Sequence, residues 1–162
     1  MSVREYDETW PFLENFTSER AALQQEVLSE LPLFQTIGLT LDKLAKDYTK
    51  VSISPRPDLA QPHGILHGGI LATLVDTAAA QSVLTTLKLD HDVVTVHLDT
   101  KYFRPVRDER IFTEATVVRK GRSLAHTDIS VVNAGEELIA KGWCVLKLTR
   151  RVSPAANMRV VA

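Results

Sequence analysis

Between Gly68 and Leu87 the chain shows no polar face. Ile70, Leu71, Leu74, Val75, Ala78, Ala79, Val83 and Leu84 fall at nearly every angle of a 3.6-residue repeat. The pattern predicts a helix, roughly 68–87, that must be covered on all sides. Asp76 and Gln81 near its middle argue against a membrane span and for a helix buried in protein. On either side of it the period changes to two. Tyr48–Ser54 reads as a strand. After the polar connection LKLDHD come four more alternating runs, Val93–Phe103, Ile111–Val118, Leu124–Val132 and Leu138–Leu148. Lys120-Gly121-Arg122 and Asn133-Ala134-Gly135 mark hairpin turns between them. One long helix followed by an antiparallel meander predicts an α+β fold, and without βαβα alternation a Rossmann-type sheet is disfavoured. A small sheet covers most of such a helix only by curling around it, and a second copy of the chain would cover the rest.

Upstream, Leu23, Val27, Leu28 and Leu31 recur at helical spacing. Thr17 or Ser18 stands ready to cap that helix and Pro32 to end it, which predicts a peripheral helix over Ser18–Leu31. The organisation expected is an N-terminal helical extension over 1–30, one domain over 31–149 and a mobile tail over 150–162.

Composition adds exclusions. The 162 residues are 44% hydrophobic and 24% charged, with 19 Lys and Arg against 20 Asp and Glu for a net charge of -1. A nearly neutral chain is a poor candidate for non-specific nucleic-acid binding, and it is not a charge-dominated disordered chain. The single Cys144 cannot form an internal disulfide. With no secretory segment at its start, the chain is expected in a reducing intracellular compartment: the cytoplasm, with the mitochondrion left open, although the acidic first residues fit a presequence badly. G-x-S-x-G, G-x-x-x-x-G-K-[ST] and G-x-G-x-x-G are all missing, so serine hydrolysis, nucleotide hydrolysis and nicotinamide chemistry have no handle. His63 and His67 are four apart, but they sit in a Pro/Gly loop with no third ligand, and no metal is expected. Cys144 reads as a core thiol.

Three features could carry chemistry. His67-Gly68-Gly69 leads straight into the buried helix. Two glycines there would leave N–H groups open at the positive end of the helix dipole, where a carbonyl becoming an oxyanion would be stabilised; close loop packing is the alternative. Asp76 is the only charge between His67 and Lys88, among small and apolar neighbours. It is either a general base or a carboxylate bonded to Thr73, Thr77 or backbone. The third is the basic turn Arg119-Lys120-Gly121-Arg122-Ser123, which could hold phosphates or be an ordinary solvated hairpin. Nine residues separate His67 from Asp76, about 900° of rotation and roughly 13 Å of rise, so within one chain they face opposite ways. If both serve one site, they come from different subunits.

Leu33-Phe34-x-x-x-Gly38, Gly64-x-x-His67-Gly68-Gly69, Asp76 and Tyr102-Phe103-Arg104-Pro105 together resemble the hotdog-fold acyl-CoA thioesterases. The likeness spans roughly residues 31–149, and is closest to the branch of the phenylacetate-degradation and thioesterase superfamily member 2 enzymes. It implies a curled antiparallel sheet around a central helix, a homodimer and, in some members, a dimer of dimers. It implies acyl-CoA hydrolysis to free acid and CoA, in fatty acid metabolism, with no cofactor beyond the coenzyme A of the substrate. Residue by residue, Gly68 would supply the oxyanion N–H, His67 would shape the site, and Asp76 of the partner would activate water or attack. Thr95 would assist it. Gly69 and the turn Arg119–Ser123 would attend the substrate and its CoA. Gln61 stands where the family often has Asn. That departure keeps a non-catalytic acyl-CoA binder in view; an acyl-thioester hydratase or dehydratase, whose usual Asp/His signature is missing, is the weaker alternative.

Overall fold

The computed structural model describes residues 11–150. The expected extension over 1–30 and tail over 150–162 lie partly outside them. In chain order come α1 (Ser18–Glu30), α2 (Pro32–Ile37), β1 (Thr40–Ala45), β2 (Tyr48–Ile53), a single 3-10 turn at Pro57–Leu59, α3 (Gly68–Leu84), β3 (His91–Tyr102), β4 (Ile111–Lys120), β5 (Leu124–Asn133) and β6 (Leu138–Arg150). Six antiparallel strands form one sheet in the order β1-β2-β4-β5-β6-β3, and α3 packs on it. The architecture is the α+β hotdog arrangement, with an extra helix at the N-terminal side.

α3 is buried as its composition demands. Leu74, Val75, Ala78, Ala79 and Val83 are fully covered, against Val51, Ile53, Ile111, Ile129, Cys144 and Leu146 of the sheet. Each large aliphatic side chain so buried contributes about 1.5–3 kcal/mol. Helix and sheet approach closely at Gly142, where a Cβ would overlap Val75 Cγ1. Gly142→Ala is therefore expected to destabilise the chain by about 1–3 kcal/mol, read as a lower urea midpoint at unchanged slope.

Two expectations are corrected. β4, β5 and β6 do form a meander, but β3 does not begin it. The chain crosses under the sheet through α3, and β3 pairs with β6 at the far edge. Alternation places residues on faces without naming a strand's neighbour, which is why the pattern misses this crossover. The second correction concerns α1. Its buried residues are Arg20, Gln24 and Leu28, while Leu23, Val27 and Leu31 are only half-buried. Polar burial is tolerated there because α3 ends without partners for its last carbonyls. Arg20 Nε donates to Leu84 O at 2.7 Å and Gln24 Nε2 to Gln81 O at 2.8 Å. Thr17 caps α1 as expected, accepting from Arg20 N at 3.2 Å. α3 itself ends at Leu84, three residues early.

The edge position of β3 leaves surface open. Leu98 pairs with Cys144 and Tyr102 with Ala140, so both lie on the helix side of the sheet. Yet Leu98 is 37% and Tyr102 51% exposed. On α3, Ala72, Thr73, Asp76, Ala80 and Leu84 form a half-exposed stripe. One chain thus leaves part of its own inner face uncovered.

Candidate active site

The residues singled out above fall into two clusters at different heights of α3, with the basic turn at a third place. The first is at the helix start. His67 caps α3 with its side chain, Nδ1 accepting from Gly69 N at 2.9 Å, which puts the proton of a neutral ring on Nε2. Gly69 N–H is therefore occupied by His67, contrary to the expectation of two open groups. Gly68 N–H has no acceptor among the described residues. Its position is fixed by the preceding loop, which folds back on itself. Gln61 N donates to Ile65 O and His67 N to Leu59 O, while Leu66 N is tied to Val106 O of the β3–β4 connection. Gly64 closes the turn at φ 70°, a backbone conformation that a Cβ strains, and its N–H reaches Gln61 O at 2.9 Å.

A cleft of about 370 Å³ opens at this spot, lined among others by Gln61, Gly68, Leu71, Tyr102 and Val106. Gln61 Oε1 accepts from His63 N at 2.9 Å, and its Nε2 has no partner among the described residues. Tyr102 also stands here, a residue to which the sequence pattern assigns no role. Its hydroxyl donates to Gly68 O at 3.1 Å, and its ring lies 3.6–3.8 Å from where a Gly68 Cβ would stand. The signal was present: alternation puts Tyr102 on the same face as Leu98 and Thr100. His67 looks into a neighbouring cleft of about 390 Å³ with Asp58, Ile70 and Thr73.

The second cluster is Asp76 with Thr95. Thr95 Oγ1 donates to Asp76 Oδ1 at 2.6 Å, a short charge-assisted bond. The β-bulge between Thr95 and His97 interrupts the β3–β6 register beside this residue. Asp76 is half-buried and Oδ2 has no partner among the described residues. Thr73, weighed as an alternative partner, instead donates to Gly69 O. Below the pair lies Cys144. Burial, and then the negative charge of Asp76, push its thiol up to about 12, with a bond from Thr95 acting the other way. It stays a neutral thiol beside the carboxylate, not a nucleophile.

Eight residues separate Gly68 from Asp76, about 12 Å along α3 and most of a quarter turn out of line. The two clusters of one chain do not converge on one carbonyl. The basic turn is farther still. Lys120 Nζ bonds both oxygens of Asp47, at 2.7 and 2.8 Å, and Thr86 Oγ1 just beyond the C-terminal end of α3. Lys120 is thereby committed within the fold. Arg119 and Arg122 are exposed, and Gly121 N–H closes the turn on Leu124 O, which precedes Leu148 N–H reaching Ser123 O. Among the described residues no group of three or more His, Cys, Asp or Glu could hold a metal ion, and no helix is long and apolar enough to cross a membrane.

This geometry has counterparts. A family model described as the thioesterase superfamily matches residues 63–140. A Saccharolobus solfataricus protein that bears the name of an esterase is 32% identical over 127 residues, covering 76% of this chain and 84% of its own. The medium/long-chain acyl-CoA thioesterase YigI of Escherichia coli is 23% identical over 125 residues, covering 68% and 81%. Among solved structures, a thioesterase family protein of Silicibacter pomeroyi superposes with a TM-score of 0.76 at 25% identity, over 82% of this chain and 99% of its own. The PaaI protein of the Escherichia coli phenylacetic acid degradation operon superposes with a TM-score of 0.73 at 19% identity, over 84% and 96%, a likeness of fold. With the six-stranded antiparallel sheet, the buried helix and the glycine-led helix start already described, the chain belongs to the thioesterase superfamily of hotdog proteins.

Proposed function

We propose that the chain hydrolyses acyl-CoA thioesters in a homodimer whose sites each combine the α3 start of one subunit with Asp76 of the other. The observation that carries this reading is the open Gly68 N–H at the positive end of a 17-residue helix, inside a cleft that Gln61 also lines. The thioester carbonyl lies against Gly68 N–H, with Gln61 Nε2 and the Tyr102 ring alongside. Water held by Asp76 attacks the carbonyl carbon and gives its proton to the carboxylate. The oxyanion that forms is stabilised by Gly68 N–H, an interaction of about 2.7–4 kcal/mol where such donors have been removed. Collapse breaks the C–S bond, and the proton passes from Asp76 to the departing CoA sulfur, leaving free acid and CoA. General-base assistance of this kind contributes about 10²–10⁴-fold. Thr95 holds Asp76 in place and leaves Oδ2 for the water.

The second subunit supplies what one chain lacks. It covers the open stripe of α3 and the exposed inner face of β3, and it brings an Asp76 to the Gly68 cleft. It also offers its own Arg119 and Arg122 for the CoA phosphates, which the turn of the same chain, at the other end of α3, cannot reach. The acyl-CoA class is supported by the named activity of the Escherichia coli relative. Free-thiol release from short, medium, long and aromatic acyl-CoAs tests the reading, with a protein blank for Cys144. Turnover of at least one acyl-CoA is expected. CoA binding without turnover of any of them would make the chain a binding module instead.

A further inference from the structure

Gly68, the first residue of α3, is the loosest joint of the helix start. It has no Cβ to limit its two dihedrals, and its own N–H is the group that faces the cleft. The peptide on its N-terminal side is held by the helix: Ile70 N donates to His67 O at 2.9 Å. The peptide on its C-terminal side is held by side chains at both of its polar atoms. The N–H, that of Gly69, donates to His67 Nδ1 at 2.9 Å, and the carbonyl, that of Gly68, accepts from the Tyr102 hydroxyl at 3.1 Å. The Tyr102 ring also closes the space over Gly68, with Cζ 3.6 Å from where a Cβ would stand.

Tyr102 is itself firmly placed. It ends β3 opposite the buried Ala140, and the next residue, Phe103, donates its N–H to Ile139 O at 2.9 Å. Its side chain is exposed enough for water to serve the hydroxyl. Burial therefore does not force the bond to Gly68. What the bond does is fix one end of a glycine peptide whose other end His67 fixes.

We infer that Tyr102 is a positioning residue: its hydroxyl and the His67 ring together clamp the Gly68–Gly69 peptide, and so aim Gly68 N–H at the carbonyl oxygen. The hydroxyl acts through Gly68 and on no reacting atom. It also ties the donor to β3, the edge strand that the second subunit covers in the proposed dimer. The inference rests on the proposed hydrolysis, because the aim matters to catalysis only if Gly68 N–H is the oxyanion donor.

The test is a double-mutant cycle read by free-thiol release. Tyr102→Phe keeps the ring and removes the hydroxyl. A misplacement of about 1 Å can cost about 10²-fold, and with the His67 half of the clamp kept the expected loss is about tenfold in kcat. KM is expected to stay within about twofold, since the bond serves the transition state. In a Gly68→Pro chain there is no amide hydrogen left to aim, so adding Tyr102→Phe is expected to lower kcat no further. An unchanged kcat in Tyr102→Phe would overturn the inference. So would the same loss in the Gly68→Pro chain, which would give the hydroxyl a task independent of Gly68. If the wild type cleaves no acyl-CoA, the proposed hydrolysis fails by itself, and the clamp is read directly by NMR of protein labelled at glycine nitrogen. Exchange of the Gly69 amide hydrogen with solvent is then expected to quicken about tenfold in Tyr102→Phe at unchanged Tm. Exchange at the wild-type rate would remove the clamp.

Discussion

Asp76→Asn is expected to lower kcat for acyl-CoA hydrolysis by about 10²–10⁴-fold while the protein keeps its fold. The two halves of this expectation come from the same bond. Thr95 Oγ1 donates to Asp76 Oδ1 at 2.6 Å, and an asparagine Oδ1 still accepts that bond, as a weaker neutral one. The amide cannot take a proton from water, so chemistry is lost and packing is not. The position is half-buried on the uncovered stripe of α3, which gives the slightly different polar group room. Thermal unfolding close to wild type together with the loss of thiol release is the predicted pair of results. Full activity in the variant would remove Asp76 from the reaction.

Much of this is legible in the sequence. A helix apolar on every side had to be wrapped, and the charge inside it needed a partner or a task. In the fold Thr95 is that carboxylate's hydrogen-bond partner. The crossover that puts β3 on the far edge was not legible, because period-two alternation is the same whichever strand lies alongside. β1 was invisible for a related reason: Thr40–Ala45 is an outer strand with little buried surface and no clean alternation. α2 hid behind Pro32, which ends α1 yet sits in the first turn of the next helix, where its missing N–H costs nothing. In α1 the apolar spacing pointed at the wrong face, since Arg20 and Gln24 cap the end of a helix more than fifty residues away. Side-chain bonds of that range leave no local trace. The same holds for Tyr102 over Gly68 and for Lys120, whose charge looked available in sequence and is bound to Asp47 in the fold.

In the proposed dimer, Gly68 and Asp76 of a single site belong to different subunits. Gly68→Pro isolates the first half. Position 68 is the first residue of α3, where proline's fixed φ and missing N–H suit a helix. His67 before it already has φ -63° and ψ 133°, the extended conformation that a following proline requires. The substitution therefore deletes the oxyanion donor with the backbone in place, and on its own should cost about 10²–10³ in kcat. The decisive measurement is thiol release by a protein co-expressed as equal amounts of Gly68→Pro and Asp76→Asn chains. In a two-fold dimer with shared sites, half of the dimers are mixed, and one of the two sites in each has both Gly68 and Asp76 intact, so activity recovers to about a quarter of wild type. Activity no higher than that of the two inactive parents would place both residues in one chain's site and contradict the shared arrangement.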